Sequence, residues 1–405
     1  MSATHTAATN TPTTYGWVER AFHWAIALLI PTAIVLGVVA YDAPFGTDEE
    51  LAWKATLFSA HKTVGITIFF VALARIAWAL SQPRPRTLHP DRTLETFAAS
   101  TVHWLLYGSL ILVPALGWAH HATAEGFAPI WWPFGQSLPF LPKDPDLSAT
   151  LATLHMTFER VLVAALILHI VGTLKHVVID KDSTFGRMWR GTDPGPLPEG
   201  GRHLLAPLSA VVVWAGALGA GLFLASDGAT ATTTATVTAQ TEAASNWTVE
   251  EGTLSITVTQ LGQPVTGSFA DWQAAIDFDE TPRDDGSFGQ VEVVIATGSL
   301  GLGSVTQQAT EAAFLDSAGF PTATFTATIV PDGEDYLADG TLDLRGVSVP
   351  VQMPFRLQID GDIATMEGQV ELDRRDYNMG EAYPDETSVG FGVTVDVTLT
   401  AQRGA

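Results

Sequence analysis

"LHMTFERVLVAALILHIVGTLKH", residues 154–176, is apolar enough for the inside of a bilayer, yet it keeps His155, His169 and His176. On a helix, the fourteen residues from His155 to His169 advance about 21 Å and turn back to within about 40° of the starting direction. The two rings therefore leave one stripe of the helix near opposite faces of a membrane. Ionisable side chains at such depth are costly and mark functional sites by default. Two on one stripe, a bilayer apart, imply two separate cofactors.

Other runs share this character. Five stretches, roughly 17–40, 56–80, 100–122, 151–178 and 204–225, reach the length of about 20 apolar residues that a crossing needs. The first has no short apolar core followed by an A-x-A site, so it does not read as a cleaved signal peptide. Arg84, Arg86 and Arg92 follow the second stretch, and Lys175, Lys181, Arg187, Arg190 and Arg202 follow the fourth. The loop "DAPFGTDEE" (42–50) is acidic. The positive-inside rule then expects a multi-pass inner-membrane protein with a cytoplasmic N-terminus and its C-terminal part on the periplasmic side.

The partners of the two histidines follow from depth. His23 lies near the cytoplasmic start of the first stretch and His61 near the outer start of the second. The expected pairs are His23 with His169 and His61 with His155. Each pair can clamp one b-type haem iron through two neutral imidazoles. That ligation fills both axial positions and suits electron transfer. His103 is the rival ligand on the inner side, and a lone membrane histidine also serves as a hydrogen-bonded packing residue. Gly65 and Gly172 either let a flat macrocycle approach the backbone or pack helices. His176 is read as a haem-propionate contact, a quinone contact or a solvated ring. Arg160 has a propionate, Glu159 or snorkelling as alternatives. Arg20, Arg75 and Lys175 are topogenic charges or propionate contacts. His5, His89 and His203 are expected in water.

The charge is unevenly spread. The chain of 405 residues has a net charge of -23, yet residues 247–405 hold 26 Asp/Glu against 6 Arg, with no Lys and no His. Nucleic acid and anionic headgroups are therefore poor partners for that part. No cysteine is present, which excludes disulfides, thiolate metal sites and covalent haem attachment. Residues 227–246 are small, polar and aperiodic, and read as a flexible linker. From Trp247 the pattern changes to period two, in "LSITVTQ", "QVEVVIATG", "TATFTATIV", "GTLDLRG", "VSVPVQMPFRLQI", "ATMEGQVEL" and "GVTVDVTLTA". Short alternating strands between Gly, Asp and Pro turns predict an antiparallel barrel or sandwich. "QQATEAAFLDSAGF" (307–320) reads as a short helix.

"FHWAIALLIPTAIVLG", "HKTVGITIFFVALARIAW", "HWLLYGSLILVPALGW" and "HMTFERVLVAALILHIVGTLKHVVIDKDSTFGRMWRG" resemble the bacterial cytochrome b561 family over residues 14–191. The resemblance implies a four-helix membrane di-haem domain, with ligands at His23, His61, His155 and His169, that exchanges electrons with the quinone pool. In some members superoxide is implicated as donor. "WTVEEGTLSITVTQLGQPVTGSF", "QATEAAFLDSAGFPTATFTA", "GTLDLRGVSVPVQMPF" and "ELDRRDYNMG" resemble the YceI-like family. That likeness implies a lipocalin-like barrel binding a polyisoprenoid, ubiquinone included. The chain departs from the family at Arg345, where His is common, and at Val349, where Lys is common. Trp272, Phe278, Phe314, Phe320 and Phe325 are candidate lining residues, with ordinary core as the other reading.

Together these expectations describe a membrane protein with four parts. A four-helix transmembrane di-haem domain spans 1–195 and a fifth transmembrane helix spans 200–226. The linker takes 227–246 and an all-β, lipocalin-like antiparallel barrel takes 247–405. The expected cofactors are two haem b and ubiquinone or another isoprenoid. The expected activity is electron transfer between the haems and a quinone, with the bilayer, the quinone pool and a periplasmic electron donor or acceptor as partners. Two alternatives are a superoxide-oxidising cytochrome whose barrel stores lipid, and an isoprenoid-binding redox sensor.

Overall fold

The computed structural model describes residues 7–124, 128–131, 135–198, 204–230 and 245–404. The chain divides into two compact units, one helical and the other centred on the strands.

Among the described residues, five helices are long and apolar enough to cross a membrane. They are α1 (Trp17–Asp42), α2 (Asp48–Leu80), α3 (Thr93–Thr123), α4 (Pro145–Lys175) and α6 (Leu205–Thr230); α5 (Thr184–Trp189) is a short turn of helix. Asp144 caps α4 by accepting a hydrogen bond from the Leu147 amide, with Pro145 behind it in the first turn. A π-helical turn, His176–Asp180, ends α4, and Lys181 closes it in the left-handed region at φ 51°. Ile26, Ile30, Ile68, Leu110, Leu154 and Phe158 meet in the bundle interior. Leu28, Val35, Ile167, Val212 and Phe223 point outward and are exposed, as lipid-facing side chains are. α6 packs in through Trp214, whose indole fills the space beside Gly108 of α3.

The fifth helix, expected over 200–226, is described from Leu205 onward. It continues to Thr230. The linker expected over 227–246 is therefore helical at its start. Residues 231–244 of that linker lie outside the described residues, as do His5 and His203.

The second unit holds ten strands: β1 (Trp247–Gln260), β2 (Gln263–Phe269), β3 (Trp272–Phe278), β4 (Gly289–Ala296), β5 (Leu300–Gly301), β6 (Thr322–Asp332), β7 (Asp335–Leu344), β8 (Val347–Asp360), β9 (Ile363–Asp373) and β10 (Val389–Arg403). They form an eight-strand antiparallel barrel, because β2 with β3, and β4 with β5, act as two interrupted strands. β10 closes the ring on β1, from Trp247 opposite Arg403 to Gln260 opposite Val389. A bulge between Val249 and Glu251 shifts the alternation, so Trp247 shares the inner face with Leu254, Ile256 and Val258. β8 tolerates Pro350 and Pro354 because β9 pairs with it only from Phe355 onward. The helix expected over 307–320 is shorter than its pattern. α7 covers Thr306–Thr310, and Glu311 then turns extended at ψ 171°.

Candidate functional site

α4 carries one histidine toward each of its ends, His155 in its first half and His169 fourteen residues later, and each meets a ring from another helix. At one end, His61 of α2 and His155 of α4 have ring centroids 6.3 Å apart. At the other, His23 of α1 and His169 of α4 are 6.2 Å apart. Two imidazoles bound to opposite sides of one ion, through nitrogens about 2.0 Å from it, place their centroids on the order of 6 Å apart. Both pairs have that spacing. His103 lies 5.1 Å from His169, closer than such a clamp allows, and its Nδ1 is 2.7 Å from Ala99 O, four residues back on its own helix.

The first pair is held by one device used twice. His61 Nδ1 donates to Ala33 O at 2.8 Å, and His155 Nδ1 donates to Val113 O at 2.9 Å. One turn beyond each carbonyl is a glycine, Gly37 on α1 and Gly117 on α3. A Cβ at Gly37 would stand 2.9 Å from the His61 ring, and one at Gly117 would stand 2.9 Å from the His155 ring. Each glycine thus admits an imidazole to a helix carbonyl. With Nδ1 protonated and donating, Nε2 keeps its lone pair for a metal. Among the described residues, a Cβ at Gly65 or Gly172 would meet nothing within 4 Å, so neither glycine marks a close helix contact there. The donor set, its spacing, the tied Nδ1 atoms and the clear faces at these glycines all fit b-type haem.

The remaining charged candidates spread differently. Arg75 is buried, pairs with Glu19 at 3.3 Å and covers the Tyr107 ring. Arg20 donates to Trp189 O at 3.3 Å. Arg160 is exposed on α4. Lys175 bridges Glu95 at 2.6 Å and Asp180 at 2.8 Å. His176 Nδ1 lies 2.7 Å from Asp182 Oδ2, and the same oxygen lies 2.9 Å from His89 Nε2. His89, expected in water, is half-buried and stacks on His176 at 6.2 Å. A histidine preceding Pro90 in a polar loop carried no sequence signal for that contact. Burial tends to raise the Asp182 carboxyl, but the Thr184, His89 and His176 hydrogen bonds overcome it and hold the group well below the usual carboxylate range.

The barrel encloses a cavity of about 280 Å³, far beyond the voids of a packed core. Trp272, Phe278, Phe314 and Phe325 line it. Phe320 does not. It sits outside the strands, where alternation says nothing about direction, and it is 37% exposed against Gly346. Arg345, at the position of family departure, donates to Asn378 O and Ala312 O. The wall is apolar except for a few groups at one end: Gln260, Thr297, Gln308, Arg374 and Tyr377. Arg374 is buried and spends all five donors on backbone carbonyls of Gly390, Met379, Gly380, Tyr383 and Val389, at 2.7–3.2 Å. Gln260 and Arg374 were open to detection in the sequence. Gln260 continues the inward series Leu254, Ile256, Val258, and Arg374 continues Val370, Leu372.

Residues 14–191 match the family model described as prokaryotic cytochrome b561, and residues 228–401 match the YceI-like domain. The chain joins a cytochrome b561 domain to a YceI-like domain. "Cytochrome b561 homolog 2" of Escherichia coli is 29% identical over 189 residues, covering 44% of this chain and 93% of that protein. "Probable superoxide oxidase CybB" of Yersinia pestis is 25% identical over 179 residues, covering 43% and 94%. Burkholderia cenocepacia BcnA, a crystal structure, is 25% identical with a TM-score of 0.35, covering 37% of this chain and 96% of that one. The b561 domain contains all four proposed histidine ligands, and the YceI-like domain contains the cavity.

Proposed function

We propose that the b561 domain moves electrons between two b-type haems and a quinone, while the YceI-like barrel binds an isoprenoid quinone or another polyisoprenoid. The observation that carries the reading is the pair of matched histidine clamps, 6.2 and 6.3 Å across, at two ends of one bundle. His23 with His169 would hold one haem, and His61 with His155 the other. A bound haem supplies a one-electron iron couple. The protein's share is orientation. Ala33 O and Val113 O fix the tautomers of His61 and His155, so that the two rings would hold a haem iron through Nε2 and suit it to electron transfer. Arg20, Arg75, Lys175 and His176 belong to one end of the bundle, as propionate or quinone contacts. Arg160 would face lipid or a headgroup.

The barrel's role rests on its apolar cavity. An isoprenoid tail is too apolar to leave the bilayer unshielded, each CH2 group buried being worth about 0.8 kcal/mol. The lysine- and arginine-rich loops support a cytoplasmic N-terminus and a periplasmic barrel in an inner membrane. The likeness to a probable superoxide oxidase favours one second reading, with superoxide as the periplasmic electron donor.

The test is a haem count and a reduced-minus-oxidised spectrum of the purified chain, followed by addition of a short-chain ubiquinol. Two low-spin haems per chain, reduced by the quinol, are expected. One haem per chain at full loading, or a spectrum that no quinol or superoxide changes, would sink the reading.

A further inference from the structure

The polar end of the barrel cavity contains two atoms without a hydrogen-bond partner. Tyr377 is 1% exposed and Gln260 is 3% exposed, and both line the cavity. Among the described residues, the Tyr377 hydroxyl and Gln260 Oε1 find no hydrogen-bond partner. The orientation of the Gln260 amide follows from its neighbours. Gln308 Nε2 donates to the Tyr383 hydroxyl at 3.1 Å, which turns Gln308 Oε1 toward Gln260. Gln260 Nε2 donates to that oxygen at 2.7 Å, so its own Oε1 is the atom left over. Buried polar groups are otherwise satisfied almost everywhere in proteins, and an orphan costs desolvation energy. Here the side chains that carry an orphan hydroxyl donor and an orphan acceptor both line one apolar chamber.

We propose that these two groups bind the head of the barrel's ligand and select a neutral hydroxyl. The proposal rests on the isoprenoid reading given above and narrows it. A hydroxyl head donates to Gln260 Oε1 and accepts from the Tyr377 hydroxyl, satisfying both atoms. A quinone carbonyl or an ether accepts only, and leaves Gln260 Oε1 bare. A phosphate head requires cations, and Arg374, the cation on this wall, has no donor left to give. Burial pushes the Tyr377 phenol up to about 12, so it stays a donor at physiological pH. Two sources share the favoured chemistry: a quinol and a polyprenol. The barrel then holds the reduced form of a quinone in preference to the oxidised form.

The test uses the full chain in detergent and four probes with one tail: geranylgeraniol, its methyl ether, its monophosphate and the hydrocarbon with no head. Native mass spectrometry measures the bound fraction of each. The alcohol should bind about tenfold more tightly than the ether, the ordinary worth of one hydrogen bond. It should also bind at least about tenfold more tightly than the phosphate. Gln260→Met should erase the alcohol–ether difference. Tyr377→Phe removes a hydroxyl with no bond inside the protein and should weaken alcohol and ether alike, leaving the hydrocarbon untouched. Lipid extracted anaerobically and identified by mass spectrometry separates the sources, a quinol or a polyprenol. Equal binding of alcohol and ether by the unaltered chain, or tightest binding of the phosphate, overturns the proposal. Failure of all four probes, the hydrocarbon included, instead removes the isoprenoid reading on which it stands.

Discussion

The two halves of this chain solve opposite packing problems. The b561 helices bond their own backbones internally and turn apolar side chains outward, with Leu28 71% and Phe223 64% exposed. Their polar chemistry is gathered inside, in rings from α1, α2 and α4. The barrel bonds its backbone between strands and turns its apolar side chains inward, onto a space that they do not fill. All 11 histidines belong to the first 246 residues, and the barrel has none. One half is suited to hold metal, and the other to hold a long apolar molecule. The difference teaches that each half depends on a different kind of residue. The helical half relies on a few exact donors and the small residues that admit them. The barrel relies on many interchangeable apolar residues and a few buried polar ones.

The strongest way to break that contrast is to remove one donor. His61→Ala and His155→Ala should each remove the same haem, about half of the haem absorbance. His23→Ala and His169→Ala should each remove the other, and His103→Ala should remove neither. Lipid co-purifying with the barrel should stay constant throughout. A haem count on each variant decides the assignment. If His103→Ala empties the inner site while His23→Ala leaves it filled, the inner pair is misassigned.

A change one step behind the donors should act more mildly. Gly117→Val and Gly37→Val place a side chain where the His155 or His61 ring now stands. The ring must leave its carbonyl, and haem retention should weaken by roughly 10–100-fold, as when ligand-orienting partners are lost. A Cβ at Gly65 meets no described protein atom within 4 Å, so a loss of haem in Gly65→Ala without a loss of helix stability would report contact with the macrocycle itself. Equal haem retention in Gly117→Val and the unaltered chain would show that the carbonyl contact does not position the ring.

These residues also show where the sequence could be read. Apolar runs of membrane length reveal the helices because a bilayer tolerates little else. Histidines in such runs stand out, and depth suggests their pairing while leaving His103 as a rival on the inner side. Gly37 and Gly117 do not stand out, because glycine is ordinary in membrane helices. In the barrel, alternation finds Trp272, Phe278 and Phe325. It fails for Phe320, which belongs to no strand. Gln260 and Arg374 are visible as polar residues at inward positions, but only once the register is known.

On the barrel side the matching experiment is Arg374→Met. It strips five buried carbonyls of their shared donor and should cost about 3–5 kcal/mol of barrel stability. Chemical denaturation followed by the β-sheet circular dichroism signal would measure it. Haem content should not change. A parallel loss of haem would mean that the two halves do not fold independently.

The smallest expected effect is a dependence on alkaline pH, carried by Tyr377. Burial raises its phenol to about 12 from an ordinary value of 10.0. The folded barrel therefore favours the neutral form. The unfolded chain begins to ionise near pH 10, and from there proton release favours unfolding. Stability from this group is fully present below about pH 10 and declines as pH rises toward 12. The Tyr383 phenol is also raised by burial and declines in the same direction, so the difference between the unaltered chain and Tyr377→Phe isolates one group. The fall in denaturation midpoint above pH 10 should be shallower in Tyr377→Phe, and tyrosinate absorbance should lose its latest-titrating component. If the two proteins lose stability along the same curve, the Tyr377 hydroxyl is in contact with water, and the cavity end it lines is wet.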